Sequence, residues 1–260
     1  MKFAQKPLLL FALAALLVPS VSAQSLKGMS LNGATGLISI PTGRIGWERS
    51  ANFGFDLGYH AVMVEGETAS IPKVAASLFK WVEFSLAFDT ATPEDNEDII
   101  ISGKLQLPTT GTAVAIGGNA QMLKQNDNAS NATQIYIAAT YPATFFKMSS
   151  ETTMVVGKTF VEGNSDSSID FGMGFDLLLF PEVFQRYVHW VTDFANFSYS
   201  LQPTGANSGT RGVLNTGIRI DVAAAPQLKK YKFVIDAMLT DALDTNRAFT
   251  LGLAAGFPIQ

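Results

Sequence analysis

The chain has 260 residues, with 18 Lys and Arg against 22 Asp and Glu, a formal charge of −4, and no cysteine. That balance gives no electrostatic reason to expect nucleic acid. The missing thiols exclude a disulfide framework, a thiolate metal site, a cysteine nucleophile and a lipid-modified N-terminal cysteine. One domain is the default at this length.

The N-terminus carries Lys2 and Lys6, an apolar run from Pro7 to Val18, and the small residues Ser20, Ser22 and Ala23. This is the pattern of a secretory signal over 1–23, so the exported chain is expected to start at Gln24. The run is too short for a spanning helix, which needs about 20 apolar residues. No longer apolar run follows, so any membrane passage has to be made by strands. Residues 24–50 carry Gly33, Gly36, Gly43 and Gly46 and a short β-like run, Leu37 to Ile40, stopped by Pro41. The segment lacks the Lys-Ser/Thr of a P-loop and no helical pattern follows it. It reads as a turn-rich piece packing in or under a barrel mouth.

From Ala51 onward the sequence predicts twelve strands, near 51–62, 70–78, 83–91, 97–107, 112–124, 134–141, 151–161, 168–180, 189–202, 212–224, 231–240 and 246–257. Successive side chains on a strand point to opposite faces. Phe171, Met173 and Phe175 then share one face while Asp170, Gly172, Gly174 and Asp176 share the other. An even count of long strands with this period is the signature of a transmembrane barrel; a β-sandwich or lipocalin-like barrel would use shorter strands. Pro72 weakens the second strand, because proline cannot donate to a ladder. The connections alternate between an acidic, amide-rich set and a set bearing proline, aromatics and most of the loop lysines. With a periplasmic N-terminus, the first set faces outward from the cell. Trp81, Phe145, Phe146, Phe180, Phe184, Tyr187, Trp190, Tyr231 and Phe257 lie near the other set, where an aromatic girdle is expected. Val183, Phe184, Tyr187 and Val188 are spaced as one turn of a short interfacial helix.

Two stretches carry a family resemblance. Gly33-Ala34-Thr35-Gly36-Leu37-Ile38-Ser39-Ile40-Pro41-Thr42-Gly43-Arg44 resembles the GLI-x-x-PTAR opening of the YjbH-type outer-membrane β-barrel proteins, with Gly43 in place of the usual alanine. His189 to Ser200 with Val213 to Arg219 resembles that family's strand pair of an acidic residue, a corner and N-x-G-h-R; Asp193-Phe194-Ala195-Asn196 stands where the family has Glu-Tyr-Asp-Gly. The resemblance implies a barrel in the outer membrane and an association with exopolysaccharide secretion. The last strand, Arg247 to Phe257, resembles the C-terminal strand by which such proteins are recognised for insertion, which implies the barrel-assembly machinery as a partner.

If apolar faces meet lipid, the lumen is lined by Asp56, His60, Lys104, Lys158, Asp170, Asp176, Arg219, Asp221 and Asp236, with Asn52, Gln106, Asn119, Gln121 and Asn196 beside them. Mixed signs fit either internal ion pairs that plug the bore or a narrow polar channel tuned by Arg219, Lys104, Lys158, Asp170 and Asp176. His60 and His189 are the sole side chains that titrate near neutrality when unperturbed. Asp56, Ser70 and Ser77 are the candidate neighbours of His60, but no nucleophile–base spacing is present, so no catalytic residue is assigned. Glu94, Asp95, Glu97 and Asp98 lack the spacing of a calcium loop, and neither metal nor cofactor is expected. The sequence thus predicts an all-β, transmembrane antiparallel barrel of about twelve strands with a short N-terminal periplasmic or plug segment, placed in the outer membrane of a diderm bacterium. Its partners are expected to be outer-membrane lipids and small polar solutes or polysaccharide. A narrow porin or an exopolysaccharide-associated envelope barrel is the expected role, against a non-conducting structural barrel or a lipid-modifying enzyme.

Overall fold

The computed structural model describes residues 28–48, 51–92, 96–125, 128–163, 168–201, 203–208, 212–228, 230–245 and 247–259. The expected signal sequence, Glu94 and Asp95 lie outside them. Twelve strands follow one another: β1 (Phe53–Val64), β2 (Glu67–Leu78), β3 (Val82–Thr92), β4 (Asn96–Gln106), β5 (Ala113–Gln125), β6 (Asn128–Phe145), β7 (Met148–Val161), β8 (Asp170–Leu178), β9 (Val188–Ala195), β10 (Val213–Asp221), β11 (Lys232–Thr240) and β12 (Ala248–Ile259). Each pairs antiparallel with its neighbours in sequence, and β1 pairs with β12 to close the barrel. Closure leaves no edge strand, the condition under which strands are tolerated in hydrocarbon.

The alternation read from the sequence is what the barrel uses. Leu57, Tyr59, Phe84, Phe88, Ile101, Leu105, Ile135, Ile137, Leu251 and Leu253 all point outward and are exposed, while Asp56, His60, Ser85, Ser102 and Lys104 on the same strands are buried inside. A continuous apolar jacket of this size is untenable in water, so the outer surface is the lipid-facing surface of a membrane barrel. Pro72 interrupts the β2–β3 ladder without shifting it: pairing stops at Ser70↔Thr90 and resumes in the same register at Lys73↔Ala87.

Two local expectations are corrected. The ninth strand ends at Ala195 instead of running to 202, because the chain peels inward there and carries Phe197 and Tyr199 into the lumen. Residues 181–187 form successive hydrogen-bonded turns and no helix; the left-handed φ of Gln185 and Arg186 (49° and 70°) stops any helical turn from propagating.

Candidate functional site: an occupied lumen

The space inside the strands is filled by residues 28–48. This segment doubles back on itself through Leu31 N–H to Ile38 O (2.8 Å) and Leu37 N–H to Ile40 O (3.0 Å), with bridges Met29↔Thr35 and Gly36↔Pro41. Such a short fold leaves many backbone groups unpaired, and in a dry interior each must find a partner. The barrel wall supplies them. Asp193 on β9 accepts the N–H groups of Ile38 (2.8 Å), Ser39 (2.7 Å) and Ile40 (3.3 Å). Glu83 on β3 accepts those of Thr35 (2.8 Å) and Gly46 (2.7 Å) as well as the Thr35 hydroxyl (2.6 Å). The Thr140 hydroxyl accepts Gly43 N–H at 2.9 Å.

Cations on the wall take the carbonyls. Arg219 donates to Gly36 O and Leu37 O, both at 3.1 Å, Lys73 to Ser30 O at 2.7 Å, and Lys104 to Thr35 O at 2.9 Å. These charges are paired in turn. Arg219 Nε lies 2.8 Å from Asp236, and Lys104 lies 3.1 Å from Glu83. The Asp236 carboxylate also meets His60 Nε2 at 3.2 Å. Nearer the start of β1 and the end of β12, Arg44 of the segment bridges Glu151 and Glu48, each at 2.7 Å, and Trp47 donates to Asp56, which pairs with Lys232 at 3.0 Å.

Fit is steric as well as electrostatic. A Cβ on Gly43 would lie 2.2 Å from Ala113 O, and one on Gly174 would lie 2.6 Å from Leu37. The alanine that the resembled family carries at position 43 therefore has no room here. Leu31, Leu37, Ile38 and Ile40 pack against Val62, Ile71, Ala87, Ile100, Ala138 and Val191, so the middle of the lumen is apolar. At the end away from the start of β1 and the end of β12, the chain after β9 lays Phe197, Tyr199 and Ala206 onto the same core. The Tyr199 hydroxyl donates to Asp89 at 2.6 Å. Burial first, then Asp89, raises that hydroxyl well above the usual tyrosine range, so it remains a donor at alkaline pH. At the opposite mouth, Arg44, Glu48, Trp81, Gln106 and Pro108 border a cavity of about 220 Å³.

Of the nine residues expected in the lumen, Asp56, His60, Lys104, Asp170, Asp176, Arg219, Asp221 and Asp236 are buried on the inner face. Lys158 is not among them. It shares the outer face of β7 with Phe160, 6.0 Å from that ring, and donates to Ser168 O. Asn196 is likewise exposed, tying Phe171 N–H and Ile169 O at the rim. Asp170 bonds Gln134 and Thr159, and Asp176 meets His189 Nδ1 at 2.5 Å. Arg219 and Lys104 hold the segment in place instead of bordering an open bore. Asp98 faces inward, while Glu97 remains exposed, and no group of three or more metal-ligating side chains forms among the described residues.

The residues that sequence reasoning missed are Lys73, Glu83, Glu151 and Asp193. Alternation alone places all four on inner faces; what it lacked was a partner for them. Neither of the two serines reaches His60: Ser70 is on the outer face, bonded to Tyr59, and Ser77 lies opposite Gly54 while His60 lies opposite Ile71, about 20 Å apart along the strand.

No family model matches this chain, and no curated protein sequence does. Solved structures match by fold. The KdgM porin superposes with a TM-score of 0.51 at 7% identity, over 79% of this chain and 99% of that one. The KdgM porin in complex with disordered oligogalacturonate gives 0.52, at the same identity and coverage. Omp33 from Acinetobacter baumannii covers 81% of this chain at 12% identity, with a TM-score of 0.47. The fold is that of an outer-membrane barrel.

Proposed function

We propose that this protein is a porin-type barrel of the outer membrane, closed at rest by its own N-terminal segment and conducting small polar solutes when the segment withdraws. The start of β1 and the end of β12 lie together at one end, and we take that end as periplasmic by the usual arrangement of such barrels. The single observation that carries the gated reading is the way the segment is held. Ten of its backbone groups, six N–H and four C=O, bond to side chains of the wall. Polar anchoring of this kind can be exchanged for water and a polar solute once the segment moves. Passage of sugars or their oligomers suits a wall bearing Glu83, Lys104, Asp193 and Arg219 once it is uncovered.

Liposome swelling with graded sugars tests this. The wild-type barrel should swell liposomes slowly and Asp193→Ala, checked for folding by heat-modified migration, should swell them several-fold faster. Two folded barrels that are equally impermeable would leave the non-conducting structural barrel as the better reading.

We also propose membership of the YjbH-type family. Its support is that the two resembling stretches meet in space: Asp193 and Arg219 of the second hold residues 36–40 of the first, and Asn215 joins Ser39 to Asp193. An association with polysaccharide export would follow, tested by whether deleting the gene lowers secreted polymer.

A further inference from the structure

Three of the periplasmic turns are built against their own backbone preference, whereas the turn after β4 uses Gly111 (φ 82°); at the opposite rim Ala206 (φ 55°) and Asp241 (φ 50°) are the non-glycine left-handed residues. At the opposite rim the left-handed positions in the turns after β1 and β7 are taken by Gly66 (φ 80°) and Gly163 (φ 76°), the residue with least steric objection to that region. At the periplasmic rim the equivalent positions are Phe79 and Lys80 (54° and 66°), Phe146 and Lys147 (46° and 65°), and Gln185 and Arg186 (49° and 70°). Two of these turns are closed by a backbone bond, Trp81 N–H to Leu78 O at 3.1 Å and Tyr187 N–H to Phe184 O at 2.9 Å. A pair of left-handed residues in a tight turn normally calls for Asn-Gly. Here an aromatic or amide and a cation stand in that place three times.

Each cation has an aromatic pair beside it. Phe53 and Phe79 meet edge to face at 5.0 Å next to Lys80, Phe145 and Phe146 at 4.5 Å next to Lys147, and Phe180 and Phe184 at 6.4 Å before Arg186. A fourth pair, Tyr231 and Phe257 at 6.0 Å, adjoins Lys230. Phe79 is 61% and Phe146 82% exposed, and all four cations are exposed. Side chains that combine an apolar body with a cationic tip settle where hydrocarbon gives way to headgroups.

We propose that this rim binds the anionic headgroups of glycerophospholipids in the inner leaflet, each aromatic pair seated among acyl chains and each cation on a phosphate. The strained turns are retained because Asn-Gly would remove both. The site rests on the orientation proposed above, but it does not depend on whether the lumen conducts.

The test uses the full mature chain and a variant carrying Phe79→Asn, Lys80→Gly, Phe146→Asn, Lys147→Gly, Gln185→Asn and Arg186→Gly. Its new residues suit the turns, so the barrel should fold and melt in detergent no lower than wild type. Native mass spectrometry with phosphatidylglycerol and phosphatidylcholine should show wild type retaining the anionic lipid at least five-fold better, and the variant, which keeps only the site at Lys230, losing most of that preference. A folded variant with the preference intact overturns the proposal. Because the chain has no cysteine, Lys147→Cys reports orientation by itself: an impermeant maleimide should label it after the outer membrane is permeabilised and not in intact cells. Labelling in intact cells also overturns the proposal, through the wrong leaflet.

Discussion

Asp193 does the work of several residues. One buried carboxylate accepts three consecutive backbone N–H groups, the Ser39 hydroxyl and the amide of Asn215. Removing it leaves those donors dry and unpaired, at a cost of about 1–3 kcal/mol for each group that water cannot reach. Asp193→Ala should therefore lower the unfolding free energy by about 3 kcal/mol or more, read from urea unfolding in micelles. Asp193→Asn, which keeps an acceptor, should lose less. Sequence alone puts Asp193 on an inner face and makes it part of a motif, yet nothing in the sequence says that it meets residues 38–40. The misplacement of Lys158 has a different cause. Its flanking inner positions, Gly157 and Thr159, carry no apolar contrast, and a lysine near a strand end can lie on the lipid face with its ammonium turned to the rim.

At the scale of elements, the strands were legible because their apolar and polar faces separate with period two, and even the boundaries of β3 and β5 fall within a residue or two of the pattern. That residues 24–50 form a periplasmic or plug segment is also expected from the sequence, but what holds the segment in the lumen is not. Inward alanines such as Ala69, Ala87, Ala138 and Ala248 are neutral to that pattern, and they are what makes room for Leu31, Leu37, Ile38 and Ile40. The apolar residues of a glycine-rich segment did signal that something had to cover them, without naming the cover. In the sequence the connection after β9 looks like strand, because Phe197 and Tyr199 continue the alternation while the backbone turns away. Its anchor, the Tyr199 hydroxyl on Asp89, has a testable consequence. The folded state holds the proton more tightly than the unfolded chain, whose tyrosine titrates near pH 10. The stability this contributes is full below about pH 10 and is lost as pH rises above it. Tyr199→Phe should be less stable at neutral pH, and its stability should fall less steeply between about pH 10 and 11.

For the molecule as a whole, barrel and segment act as two nested layers. The outer layer satisfies its backbone by closure, and its apolar residues by lipid. The inner layer has no periodic structure of its own and borrows hydrogen bonds from the wall, so its occupancy can change without unmaking the barrel. Exposed charge lies at the rims, with Lys80, Lys147, Glu182, Arg186 and Lys230 at one end and Glu65, Glu97, Lys124, Glu162 and Arg247 at the other.

The bonds from Ile38 to Asp193 and from Leu37 to Arg219 span 155 and 182 positions of chain. A segment near the start thus waits for partners made close to the end, and contacts of such separation form slowly. Docking should be a late kinetic phase, distinct from formation of the strands. Trp47 is buried against Gly54 and Gly256 inside, whereas Trp81 borders the cavity at the mouth and Trp190 is on the lipid side. In a chain carrying Trp81→Phe and Trp190→Phe, the fluorescence of Trp47 should change after strand circular dichroism has levelled off. Until that moment the newly inserted barrel would be a temporarily unsealed hole in the membrane, and the speed of docking sets how long a growing cell tolerates it.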